Sequence, residues 1–455
     1  MRTDVLTLCL CYVLITSIFI FDIINIFRKS KYISMYLLCK IMYCLVEGII
    51  PSIIHIKFYN DGTLYPWNIS IDYSVEGINA LLIICLLVLV GYIFMSLGYR
   101  NKQKITIGNK KASISLKEKS GYKYDTILRK TATIILIVSI FSLFMWTKAY
   151  GGITKFIMNA NAIRSGYTNV SNKYAFFKHF ASTIVISSYA FFVLIIFSKK
   201  KKITDIMLLI ISIIFSIELL LASDGRMTAG FYFISYIAIY IQSKSKLLEK
   251  KINYRTITKI AILFLLALIL MLKMDDITYF IRNGTLNNLK SAQGSNLIAS
   301  FMYELSFVVK SEQLAIMKAN EVGIQIINDI GYGLFAWLPS SLIPSSFPRL
   351  WAINSVLAGA KTGELPCGLI AQGYYDLRLI GIVIFTFIYG KLINKIDSIE
   401  IKTPYGMVLY GSLIYSIIRL ISYGMIYDFI QGLFDTFLFI IIYYAILQFT
   451  KRRSR

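Results

Sequence analysis

The stretch LLASDGRMTAG, residues 220–230, sets Asp224 and Arg226 in a gap between two long apolar runs, too short for an ordinary loop. An arginine at such a boundary needs a reason, because stripping water from a guanidinium is costly. One reason is a phosphate-bearing ligand. Guanidinium stays charged at any biological pH and grips phosphate oxygens in a two-pronged fork. Asp224, two residues away, either holds that arginine or serves as a separate acid. Arg164 in NANAIRSGYTN and Arg349 in SSFPRLW also lie between apolar runs and invite the same reading. Arg282 and Arg378 read more simply as interfacial or salt-bridged side chains.

Acids and bases come next. Glu47 lies inside an apolar run, about two turns from its end, where a carboxylate is expensive and functional by default. Lys40, two turns away on the same helical face, is the alternative: a plain ion-pair partner. His179 and His55 stand at the edges of apolar runs and could act as general bases near neutral pH. Asp376 and Asp428 open further runs and fit helix caps. Asp275–Asp276 is a weak acidic pair. With two histidines and six cysteines at spacings that match no metal site, no metal centre is expected, and only Cys367 could face an oxidising compartment. There is no P-loop, no H-E-x-x-H and no G-x-S-x-G elbow, so no cofactor is expected.

The elements that must position these residues are membrane helices. The chain has 455 residues, 57% of them hydrophobic and 16% charged. Apolar runs long enough to cross a bilayer fall at 4–27, 33–54, 78–98, 131–148, 181–198, 204–222, 227–243, 257–273, 373–393, 405–422 and 427–449. The expected fold is therefore all-α and polytopic, with about eleven spans. The first run is too long for a signal-peptide core and lacks a small-residue cleavage site, so it is expected to stay as a helix.

Charge sets the orientation. Basic stretches at 28–31, 100–130, 199–202, 244–259, 391–402 and 451–455 alternate with charge-poor ones at 55–77, 149–180, 223–226, 274–372 and 423–426. By the positive-inside rule the C-terminus is cytoplasmic, and Arg164, Arg226, His179 and His55 face outward. The net charge of +24 is thus topological, with attraction to anionic membrane lipids and no nucleic acid partner.

Three regions follow: helices 1–8 over 1–273, one large outer loop over 274–372, and helices 9–11 over 373–455. The loop is too long for a plain connection. Its stretch 298–318 has helical apolar spacing and predicts a surface-lying amphipathic helix. Residues 331–351 carry Pro339, Pro344 and Pro348, which prevent a continuous span and suggest a segment that dips into the interface.

This pattern resembles the O-antigen polymerase family, the Wzy-type polymerases of oligosaccharide repeat units. NANAIRSGYTN is similar to the family's outer-loop Arg followed by Gly, and ASDGRMTAG to its Ser-x-x-Arg hairpin. YGLFAWLPSSLIPSSFPRLWAIN resembles its long-loop element, and TGELPCGLIAQGYYDLRLIGIVIFTFIYG its return to the membrane. The chain departs at Arg378, where the family often has Gly, and at Gln372, where it commonly has Glu.

The resemblance implies a GT-C-like glycosyltransferase of the bacterial inner (cytoplasmic) membrane, with its large loop in the periplasm. Its substrates would be undecaprenyl-pyrophosphate-linked oligosaccharides, and a chain-length regulator protein would be a partner. Arg164, Arg226 and Arg349 would bind pyrophosphate, and His179, Asp224 or Glu47 would assist the attacking sugar hydroxyl. The alternatives are an O-antigen ligase, disfavoured because residues 274–372 hold no His, and a lipid-linked oligosaccharide flippase, disfavoured by the scarcity of mid-membrane charge.

Overall fold

A computed structural model of the chain describes residues 2–29, 34–57, 59, 70–100, 121–160, 163, 173–198, 202–223, 226–247, 297–335, 338, 350–359, 365–399, 403–424 and 426–452. All regular elements among them are helical. Nine helices are long and apolar enough to cross a membrane among the described residues. The chain is a polytopic membrane protein. The run at 257–273 lies outside the described residues.

The first four helices are α1 (Thr3–Lys29), α2 (Met35–Cys44), α3 (Ile50–Lys57) and α4 (Val75–Arg100). One π-helical turn, Leu45–Ile49, joins α2 to α3 within a single span. Next come α5 (Gly121–Thr147), α6 (Ile153–Met158), α7 (Phe177–Ser182), α8 (Ile184–Phe197), α9 (Ile203–Ser223) and α10 (Arg226–Leu247). The C-terminal group is α11 (Leu297–Val322), α12 (Ile326–Phe335), α13 (Leu350–Leu357), α14 (Leu369–Asp397), α15 (Pro404–Tyr423) and α16 (Ile426–Arg452).

α1 and α9 leave apolar side chains such as Leu14, Phe21, Met207 and Ile210 exposed. Such residues belong against lipid tails, where leaving protein contacts carries no hydrophobic penalty. α10 has 22 residues and enough polar side chains to fall outside the nine apolar spans. It is a well-enclosed helix, with Phe231 against Tyr423 and Gln242 Nε2 donating to Tyr410 Oη at 3.0 Å, so it runs antiparallel to α15.

Two ion pairs stand at the opposite end of the bundle from the α15–α16 turn. Arg129 holds Asp205 through two bonds of 2.6 and 2.7 Å. Lys40 lies 3.4 Å from Asp22 and 3.1 Å from the centre of the Tyr92 ring. Lys40 was expected as a partner for Glu47; it is engaged elsewhere.

α11 does not lie on a surface. Ser306, Val308, Val309, Ser311, Glu312, Gln313, Leu314 and Ala315 are all buried, so its middle is enclosed on every side. α4, α14 and α3 pack around it. The amphipathic spacing is real, but its polar face is turned toward polar partners inside the bundle rather than toward water.

α14 is broken in two. Leu377 (φ −143°, ψ 24°) and Arg378 (φ 58°, ψ −141°) leave the helical region. The backbones of Gly373 and Gly381 then touch. Eight residues along a straight helix would separate them by about 12 Å, so the chain folds back at the break. Residues 369–376 form a short arm, and 379–397 a long arm of about 28 Å, enough for one crossing. Arg378 takes a left-handed conformation that glycine adopts freely. Its guanidinium donates to the Ala319 carbonyl at 2.7 Å and the Tyr374 carbonyl at 3.2 Å, which ties the bend to the end of α11.

The long arm crosses α4 at glycines. A Cβ on Gly98 would meet the Phe387 carbonyl, and one on Gly390 the Met95 carbonyl. Both obstacles are backbone, which cannot swing aside. Gly98→Ala and Gly390→Ala are each expected to lose about 1–3 kcal/mol, the usual cost of overpacking. Thermal unfolding in detergent checks this; variants as stable as the parent would mean that the two helices separate freely.

Candidate functional site

The last helix carries a polar stripe. Asp428, Gln431 and Asp435 stand at i, i+3 and i+7 on α16, which puts them on one face. Each meets a different partner. Asp428 Oδ2 is 3.3 Å from Arg419 Nη2 on α15. Gln431 Nε2 is 3.3 Å from His179 Nδ1 on α7. Asp435 Oδ1 accepts from Ser182 Oγ at 2.8 Å. The stripe thus brings a guanidinium and an imidazole to adjacent turns of one helix.

Arg419 sits one turn before the end of α15, with its guanidinium over the rings of Tyr415 and Tyr423 at 5.6 and 5.8 Å. Its side chain and that of Asp428 are each 15% exposed, so the pair is shielded but reachable. Asp428 had fitted a helix cap; it is an ion-pair partner instead. His179 is flanked by Phe176 and Phe434, with ring centres 6.1 and 5.9 Å away.

Tyr423 ties this end together. Its ring stacks on Phe307 of α11 at 5.9 Å and meets Phe231 of α10 edge-on at 6.1 Å. Its carbonyl accepts from the backbone of Cys367 and of Gly368, both at 3.1 Å. Gly424 follows with φ 64°, closing α15 with the Gly368 carbonyl hard against it. No side chain fits there. Arg226 is the first residue of α10, about a turn and a half before Phe231. A helix N-terminus adds a partial positive charge at that point. Arg164, Asp224 and Arg349 lie outside the described residues.

A second polar group lies under α12. Asp329, Gln372 and Asp376 are all buried. Gln372 Nε2 donates to Asp329 Oδ2 at 2.8 Å and to Asp376 Oδ2 at 2.7 Å, so one amide bridges two acids. Asp376 therefore closes the short arm of α14 from within and is not a helix N-cap. Burial, and then the charge of Asp376, push the Asp329 carboxyl well above the usual carboxylate range. Cys367 beside them is fully enclosed, and burial pushes its thiol up as well. It does not face an open compartment.

Glu47 belongs to a third neighbourhood. It sits on the π-turn, fully buried, and its counterpart is Glu312 of α11. His55, two turns further on, bonds through Nδ1 to Tyr73 Oη at 2.9 Å and packs on Tyr12. The structure therefore sets His179 and Arg419 against adjacent turns of α16, and Glu47 in the neighbourhood of Glu312.

Arg419, Gln431, Glu312 and Asp329 escaped the sequence reading. Arg419 had a usable signal, a charge inside the apolar run 405–422, the same rule that singled out Glu47. Glu312 and Asp329 had none, because each is one polar residue among several on a helix with mixed faces.

Against known families, the family described as O-antigen polysaccharide polymerase Wzy matches residues 5–342. That is well over half of the chain. The chain belongs to the Wzy family. No curated protein and no solved structure matches it. The matched part of this Wzy-family chain includes Glu47, His179, Arg226, Glu312 and Asp329, while Arg419 and the α16 stripe lie C-terminal to it. The match agrees with the resemblance carried by the outer segments, and with an O-antigen polymerase role in general.

Asp329 generates a pH prediction. A carboxyl whose folded pKa is raised contributes stability that is complete below its unfolded pKa and is lost as pH rises through the folded value. The thermal midpoint in detergent should fall from weakly acidic toward alkaline pH. Asp329→Asn, which keeps an oxygen for Gln372, should flatten that slope. An unchanged slope would show that Asp329 does not titrate in this way.

Proposed function

We propose that this Wzy-family chain is a GT-C-like polysaccharide polymerase at the outer face of the bacterial cytoplasmic membrane. It would transfer a growing glycan from undecaprenyl pyrophosphate to the non-reducing end of a lipid-linked repeat unit. The observation that carries the reading is the α16 stripe, whose adjacent turns meet Arg419 through Asp428 and His179 through Gln431 at a partly shielded helix end. The basic segments of the sequence belong to the opposite helix ends, which supports an outward position for this one.

The chemistry suits these groups. A sugar hydroxyl attacks the anomeric carbon of the donor while the bond to the pyrophosphate oxygen breaks. The hydroxyl proton goes to a base, and the negative charge goes to the departing pyrophosphate. Fixed guanidiniums meet that charge without reorganising, which is where such sites gain most. Arg226, Arg164 and Arg349 are proposed for the pyrophosphate, and Arg419 joins them. His179, positioned by Gln431, is proposed as the base, with Asp224 as the other candidate. Glu47 could serve only if α11 withdrew, because it is fully enclosed. The part of 274–368 outside the enclosed α11 would cover the glycan.

The test is complementation of a deletion strain, read as a surface polysaccharide ladder. The deletion should leave a single repeat unit on the lipid A core. Arg226→Ala and Arg419→Ala should fail to restore the ladder, with polymerisation down about 100-fold, as expected for losing one charge-stabilising group. Immunoblots of membranes confirm that the variants are present. If the deletion removes even the single-unit band, a ligase or flippase is the better reading. If both arginine variants restore a full ladder, the site is wrong.

A further inference from the structure

α11 carries four polar side chains into the body of the bundle within eight residues: Ser306, Ser311, Glu312 and Gln313, all buried. Two of them show how such groups are normally accommodated. Ser311 Oγ donates to the Pro366 carbonyl at 2.6 Å. Gln313 accepts from the Asp72 backbone at 2.9 Å and donates to the carbonyls of Asp72 and Gly77 at 2.7 and 3.1 Å. Glu312 has no such partner. α11 packs against the π-turn that carries Glu47, and the two buried carboxyls lie in each other's field.

An ionised carboxylate only accepts. As two carboxylates, Glu47 and Glu312 have nothing to offer each other, and none of their four oxygens has a donor. The Tyr12 hydroxyl is also fully buried, lies in the field of both acids and has the Cys85 thiol beside it. The other titratable groups facing the site are Tyr43 from α2, whose hydroxyl donates to the Val88 carbonyl at 2.8 Å, and Cys85 from α4, with Cys11 beside it. His55 of α3 lies across the Tyr12 ring, with centres 5.0 Å apart. Lys40, on α2, is held by Asp22, and Lys310, on α11, lies in the field of Asp72.

We propose that Glu47 and Glu312 form a proton-binding site whose protons fasten α11 into the membrane bundle. One proton supplies an O–H···O bond from one carboxyl to the other. A second makes the pair neutral, with two reciprocal bonds. Loss of the protons to water leaves two like charges, from elements far apart in sequence, facing each other in an apolar interior. α11 is the member of the pair that belongs to the long segment between spans, so it is the one that leaves. The π-turn under Glu47 is a local defect of the kind that marks functional positions in helices. The inference does not depend on the polymerase reading.

Hydrogen exchange of the full chain in lipid nanodiscs, followed by mass spectrometry, tests it. Protection of residues 306–315, corrected for the intrinsic pH effect, should fall as the pair ionises, about tenfold per pH unit for each proton released. In the double variant Glu47→Gln with Glu312→Gln, amides bond each other at any pH and the fall should vanish. Glu47→Gln alone is the second variant: its amide donates to the remaining carboxylate and favours its ionised form, so the fall should shrink or disappear. Infrared spectra supply an independent readout. A protonated-carboxyl band present at neutral pH in the wild type should be lost in either single variant and retained in Asp329→Asn. The proposal is overturned if protection of α11 keeps its wild-type pH dependence in these variants, or if neither glutamate contributes a protonated band.

Discussion

The constraint on which the rest of the structure depends is the enclosure of α11. A helix can be buried on all sides in a membrane body only if each polar group it carries meets a partner there. Gln313 satisfies the start of α4, and Ser311 satisfies the segment before α14. Asn354 of α13 completes that set, donating to Ser311 Oγ and to the Leu365 carbonyl at 3.0 Å each. These bonds give α11 one register. They also fix where the chain enters α14, and so where its bend must fall.

The bend then positions the functional end. Because α14 folds back at Leu377–Arg378, its short arm lies against α12 and places Gln372 between Asp329 and Asp376. The segment before it reaches the Tyr423 carbonyl, beside the turn into α16. Arg419 and the α16 stripe are therefore braced from one side by α10 and α11 through the Tyr423 ring, and from the other by the return of the chain. Arg378, in the left-handed region where the resemblance leads one to expect glycine, offsets its conformational cost by bonding the Ala319 carbonyl at the end of α11. Gln372, where the resemblance leads one to expect glutamate, puts an amide donor between two acids; a third carboxyl there would have to carry a proton to do the same.

Two kinds of buried acid pair coexist in one molecule. Asp329 and Asp376 share a neutral amide donor, whereas Glu47 and Glu312 share none. Burial raises the cost of ionisation in both, but only the glutamates rely on protons to bond at all. The catalytic arrangement proposed for His179 and Arg419 needs neither pair to open. Polymerase chemistry and the fastening of α11 are thus separable properties of one chain.

Composition alone determined that this is a helical membrane protein, because long apolar runs have no other stable form in a bilayer. It also placed the nine long apolar helices found among the described residues, since a span is a local property of some twenty consecutive side chains. The outer-segment motifs pointed to the Wzy family before any geometry was known, and the family match agrees. His179 and Glu47 were legible as costly groups near apolar runs. Their partners were not. Gln431 lies 252 residues from His179, and Glu312 far along the chain from Glu47; only packing brings such residues together. The spacing in α11 revealed a polar face, but a polar face turned to water and one turned to buried partners have the same period. The break in α14 was hidden because its apolar composition continues through the bend. Which acid faces which, and where a helix folds back, were decided by tertiary structure, because they depend on desolvation and contact between segments that sequence spacing does not encode.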